Sequence, residues 1–212
     1  TTVRVPPLCV EVTAGSPSAN RDLILAGIAG GGTGSSLAWF GPKGTTMPTA
    51  ASGTGSTLDV AMLDAGWISE EGLRKGVDEN VTDINAYGAT VPVRSFVTRS
   101  KLTFGLTFLE TNKVTLSVYN RYPLTGAGSL TIASGKTDFT EGAARSIQYA
   151  AVFDAVDGAN KLRIVVPVLE VTERAEYNVK AGEAITYGIT ATAYPGSDGV
   201  AAHYYYEVAG LT

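Results

Sequence analysis

Alternation of apolar and polar residues with a period of two recurs along this chain and commits most of it to β-structure. Leu102, Phe104, Leu106 and Phe108 alternate with Lys101, Thr103, Gly105 and Thr107, and a strand sends successive side chains to opposite faces. Ile147, Tyr149, Ala151 and Phe153 repeat the pattern. Asp157-Gly158 then turns the chain into Leu162-Arg163-Ile164-Val165-Val166, which reads as a hairpin. Pro167 has no N–H to give to a ladder and is expected at an edge or a bulge. Ile185, Tyr187, Ile189, Ala191 and Ala193 mark another strand, and Asp198-Gly199 leads into a last one, His203 to Val208. The expected fold class is mainly β.

One helix is predicted between these strands. Thr111 or Asn112 can cap it, and Leu109, Lys113 and Leu116 to Tyr119 would lay an apolar stripe on the sheet. Residues 1–63 are of a different character, with 10 of the 25 glycines and only six charges. The runs 27–34 and 43–57 read as loop or arm, because glycine raises the entropy lost on ordering and few large side chains offset it. Leu37-Ala38-Trp39-Phe40 between them predicts a short strand. Such segments are expected to need a neighbour to order them. The chain thus divides into an N-terminal arm, 1–34, and a β-domain, 35–212.

Several chemistries are excluded by arithmetic. A single cysteine, Cys9, gives no internal disulfide, and with one histidine it leaves no Cys/His zinc cluster. The net charge of −4 argues against a basic surface that coats a duplex. No run of about 18 apolar residues predicts a membrane-spanning helix, and no signal peptide is read at the N-terminus. Gly27 to Gly32 has the spacing of a phosphate loop, but Thr33 stands where lysine is needed. His203, flanked by Tyr204 and without a GxSxG elbow elsewhere, is expected to pack or hydrogen-bond. Asp78, Glu79 and Asp83 lack the order of a calcium loop. Tyr204, Tyr205 and Tyr206 have no Lys or Arg within 183–212, so they are expected to be packed or interfacial and not a platform for single-stranded nucleic acid. No catalytic residue, cofactor or metal is expected.

Charge is unevenly spread. Residues 64–88 hold six acids against two bases, and residues 89–121 hold five bases against one acid, Glu110. Such blocks either pair, within a chain or between identical chains, or form the solvated faces of one hairpin.

A resemblance enters at Asp64-Ala65-Gly66-Trp67-Ile68-Ser69-Glu70-Glu71-Gly72. It continues through Glu79-Asn80, Asp83-Ile84, Ala86-Tyr87-Gly88, Val93-Arg94, Leu109-Glu110-Thr111-Asn112-Lys113 and Glu170-Val171-Thr172-Glu173-Arg174. It ends with Tyr187 to Pro195. In this order the patches resemble the major tail tube proteins of long-tailed phages that infect actinobacteria, over roughly residues 35–195. The resemblance implies a β-sandwich, or barrel-like pair of sheets, flanked by a helix at 110–120. It implies hexameric rings that stack into a hollow tube around a tape-measure protein, bounded by tail terminator and distal tail proteins. Phage DNA later passes through the lumen without specific binding. Residues 79–93 would form a long loop that touches the next ring. Glu79, Asn80, Asp83, Tyr87, Arg94, Arg99 and Lys101 are the expected contacts between subunits. The role is structural and not enzymatic, in the virion, with assembly in the host cytoplasm and no membrane partner. A baseplate, collar or capsid-decoration domain is the alternative within virions. A carbohydrate-binding β-sandwich is the alternative outside them, suggested by Trp39, Trp67 and Tyr204 to Tyr206.

Overall fold

The computed structural model describes residues 37–143, 145–209 and 211. The arm expected at 1–34, with Cys9 and the glycine run, lies outside the described residues. The strands are β1 (Ala38–Pro42), β2 (Leu63–Asp64), β3 (Arg74–Ile84), β4 (Arg94–Phe108), β5 (Gln148–Asp157), β6 (Asn160–Arg174), β7 (Tyr187–Tyr194) and β8 (His203–Glu207). They form one antiparallel sheet in the order β2-β1-β5-β6-β7-β4-β3, with β8 also on β6.

β6 is long enough to take two partners along one edge. Lys161–Val165 pair with β8, and Val168–Arg174 pair with β7. Pro167 sits where the partner changes and where the β5 register slips between Tyr149 and Ala151. A residue without an N–H costs least at such a bulge.

The sheet curls until its ends meet. Ile68 forms an isolated bridge with Phe108. Ser69 N–H donates to Thr107 O at 2.8 Å, and Leu109 N–H donates to Trp67 O at 2.9 Å. Phe40 of β1 and Phe108 of β4, four places apart in the sheet order, therefore lie with ring centroids 5.9 Å apart. Phe104, Leu106, Tyr149 and Phe153 fill the same enclosed core. Full burial of each such side chain is worth about 1.5–3 kcal/mol.

Helix α1 (Lys113–Tyr119) closes one end of this barrel-like core with Val114, Val118 and Tyr119. It is shorter than the predicted 110–120. Leu109 is still held by the sheet-closing bond, and Arg121, at φ 57°, has left the helical region. Asn112 is the cap: its side-chain oxygen accepts from Thr115 N–H at 2.9 Å, and its amide donates to Ala65 O at 2.9 Å. Beneath the helix the buried Tyr149 hydroxyl lies 2.9 Å from Tyr122 O and 3.2 Å from Ser117 O. Burial pushes its pKa well above the ordinary value. Tyr149→Phe should lower stability by about 1 kcal/mol, the net value of one hydrogen bond. A fall in the urea midpoint at unchanged slope would report it.

The outer face of β5 and β6 is also covered. Ala150, Val152 and Val165 pack with Met62, flanked by Trp39, Met47, Leu58 and Tyr205. Arg163, on the same face, grips Asp154 with Nε–Oδ1 at 2.7 Å and NH2–Oδ2 at 2.6 Å. Its other terminal nitrogen donates to Ala50 O at 3.2 Å and to Ser56 O. The 43–57 segment, expected to need a neighbour for order, is thus held by its own domain. A guanidinium with five donors satisfies the carbonyls of a loop whose own apolar support comes mainly from Met47.

Candidate assembly interface

The seven residues expected to contact other subunits all lie on one hairpin. β7 accompanies β4 only from Leu102 to Phe108. Beyond Leu102, β3 and β4 continue as a two-stranded ribbon in which every residue from Val77 to Ser100 is exposed. At about 3.4 Å per residue, the overhang Arg94–Lys101 extends roughly 27 Å. The segment 79–93 was expected to be loop. It is strand through Ile84, and only 85–93 connects the two strands. A turn bond from Ala89 N–H to Ala86 O at 3.1 Å and a closing bond from Val93 N–H to Ile84 O at 2.8 Å shape the tip. β-Branched Val77, Val81, Val93 and Val97 favour the extended form, but polar residues on both faces hide any amphipathic signal.

The two faces differ chemically. One carries the cross-strand pairs Val77/Leu102, Glu79/Ser100, Val81/Val97 and Asp83/Ser95. The other carries Asp78/Lys101, Asn80/Arg99, Thr82/Phe96 and Ile84/Arg94. The ladder slips between Asn80 and Val81, where Thr98 is the extra residue of β4 and donates its hydroxyl to Asn80 O at 3.0 Å. On the first face, Ser100 donates to Glu79 at 3.1 Å and Ser95 donates to Asp83 at 2.5 Å, so serines orient both carboxylates. Among the described residues, Arg94, Arg99 and Lys101 take part in no ion pair. The hairpin reading of the two charge blocks is the observed one. Glu79 and Asp83 nevertheless face away from Arg94 and Arg99, and on this ribbon only Asp78 shares a face with a base, Lys101. Tyr87 stands apart from both faces, fully exposed at the tip.

Apolar groups missed as contacts share these faces. Val81, Val97 and Phe96 are 59%, 53% and 42% exposed. A ribbon of two strands is marginally stable in water by itself. Clustered exposed apolar groups with polar neighbours mark surfaces that meet another protein.

The other residues singled out from sequence are dispersed. His203 Nε2 lies 2.7 Å from Asp198 Oδ2, and its ring stacks on Tyr205 at 6.3 Å. The Asp198 carboxyl is held below its usual range chiefly by the Val200 N–H, with His203 adding to the effect. No hydroxyl among the described residues bonds the imidazole. Trp39 packs in the outer cluster with Tyr205, and Tyr204 lies against the core with Lys75 Nζ 4.4 Å from its ring centre. Trp67 and Tyr206 remain exposed. The aromatics proposed as a sugar platform therefore do not assemble into one.

A search of curated proteins found no match. Among solved structures, the chain is similar to one described as "Virion of native gene transfer agent (GTA) particle". The match has 5% identity and a TM-score of 0.38 and covers 71% of this chain and 92% of that one. The model of the phage tail tube protein family matches residues 25–209. With most of its length inside that match, the chain belongs to the phage tail tube protein family and is a structural protein of the virion tail.

Proposed function

We propose that this chain is the repeating subunit of the tail tube of a long-tailed phage, of the kind that infects actinobacteria. Copies close into hexameric rings, and the rings stack around a tape-measure protein between a tail terminator and distal tail proteins, in the host cytoplasm. The observation that carries the reading is the β3–β4 hairpin: a long arm, exposed on both faces, on a domain that has already completed its own core. Glu79, Asn80, Asp83, Tyr87, Arg94, Arg99 and Lys101 on that arm are the contacts between subunits. Rotational closure makes each ring, and head-to-tail stacking is open-ended, so both contacts favour parts that protrude.

The conduit role is supported by the side of β4, β7 and β6 that faces away from the core. It presents Thr103, Thr107, Thr172 and Thr190 with Gly105 and Gly188. It also presents the carboxylates of Glu170 and Glu173, which pair with Thr192 and Thr190, and Arg74 beside Gly105, itself ion-paired to Glu71. Thr192 and Thr172 hydroxyls lie 3.3 Å apart across the strands. A wall of small residues and carboxylates does not hold phosphates, whereas lysines in it would. Thr103→Lys with Thr190→Lys should leave tube formation intact. Retention of labelled duplex DNA by tubes should rise at least tenfold at low salt, and unchanged retention would move the lumen to another face.

Electron microscopy of the concentrated protein tests the main reading. Long hollow tubes support it. Discrete rings that never stack would instead favour a baseplate, collar or decoration protein.

A further inference from the structure

The hairpin carries opposite charges on its two faces, and their spacing matches. Glu79 and Asp83 stand four residues apart along β3. On the reverse face, Arg99 and Arg94 stand opposite Asn80 and Ile84, also four residues apart. Each spacing is therefore about 13 Å. Val81 and Val97 lie between the carboxylates, and Phe96 lies between the arginines. Lys101 has Asp78 directly across the ladder, so Arg94 and Arg99 are the basic groups with no acid opposite them.

We infer that the acidic face of one hairpin stacks on the arginine face of the hairpin of the adjacent copy, so that the arms form a continuous crown around each ring. This rests on the ring assembly proposed above. Copies related by rotation point their arms in the same axial direction. In that alignment, an offset of one residue sets Glu79 against Arg99 and Asp83 against Arg94 of the next copy. The same offset seats Val81 and Val97 on Phe96. Stacked sheet faces lie about 10 Å apart, a gap that these side chains span. Face-to-face packing gives the two-stranded ribbon the second layer it lacks alone. Complementary charges then set register and exclude the opposite orientation of approach.

The bulge at Thr98 makes the match. Without it, alternation would turn Arg94 and Phe96 to the face of Ser100, and the two arginines would oppose each other across the ribbon. The extra residue reverses the parity of β4 beyond it and gathers Phe96, Arg94 and Arg99 on one side.

Charge exchange tests this directly. One variant carries Glu79→Lys and Asp83→Lys, and the other Arg94→Glu and Arg99→Glu. Each should keep the circular dichroism and melting temperature of the wild type, since all four residues are exposed. Each alone should need at least tenfold more protein to form tubes, with the excess most pronounced at low salt. An equimolar mixture should assemble near the wild-type concentration, because alternating copies restore an opposite charge at every contact. A chain with all four changes should also assemble alone. Variants that assemble like the wild type, or a mixture as inactive as its parts, would overturn the stacked crown while leaving the tail tube reading in place. Wild-type protein that forms neither rings nor tubes would overturn the tail tube reading, and the crown with it.

Discussion

Joining Asp78 to Lys101 through an Asn-Gly turn, in place of residues 79–100, is expected to give a stable monomer that forms no tubes. Asp78 and Lys101 are directly paired in the ladder, so a two-residue turn can close the shortened strands in register. The deleted residues are exposed throughout, and the core of Phe40, Phe104, Phe108 and Phe153 is untouched. The melting temperature should therefore change by no more than a few degrees, the scale of about 1 kcal/mol in a domain of this size. Assembly should fall far more. Losing the arm removes the paired charges and the Val81, Val97 and Phe96 surface together. A rise of at least 100-fold in the concentration needed for assembly corresponds to about 2.7 kcal/mol per contact. Sedimentation velocity and electron microscopy read both halves of the result. Persistent long tubes would remove the hairpin from the assembly altogether.

Arg163→Met should destabilise the folded subunit by about 3–5 kcal/mol. The Arg163 and Asp154 side chains are only 10% and 13% exposed. Methionine fills much of the volume but leaves the Asp154 carboxylate without its cation and the Ala50 and Ser56 carbonyls without their donor. Asp154→Leu on the same background should recover a large part of the loss, because removing both charges also removes the desolvation penalty. Urea unfolding would give the two free energies. Limited proteolysis should show cleavage within 43–57 in the single variant before the rest of the domain opens. A single variant as stable as the wild type would mean that Met47, Leu58 and Met62 hold the loop without the guanidinium.

Parts of this molecule were legible residue by residue. β4 near Phe104 and β7 turn one face to the core, and β5 turns Tyr149, Ala151 and Phe153 there, so alternation marked them. Asp157-Gly158 marked the β5–β6 turn, and Asp198-Gly199 the approach to β8. Asn112 was among the two expected caps because its short side chain reaches the N–H three residues on. Pro167 announced a break in pairing for the same kind of local reason. By contrast, β3 and the outer half of β4 are wet on both faces, which erases the periodicity that marks a half-buried strand. The 43–57 loop read as an unattached arm because its chief anchor, Arg163, lies more than a hundred residues away.

The candidate interface divides in the same manner. Its residue types were visible as an acidic block followed by a basic one, and their fall on neighbouring strands was one of two open readings. Which side each charge faces was not visible. That depends on the register of β3 against β4 and on one bulge at Thr98.

From its residues alone, then, this chain determined a β-domain with one short helix and the region that carries its unused charge. The closure of the sheet through Ile68 and Phe108, the seating of the 43–57 loop and the two-faced hairpin were decided only by tertiary structure. Alternation is a local property that a few neighbours set. Partner, register and the facing of a strand are fixed by contacts between distant residues, and a slip of one position exchanges the two faces.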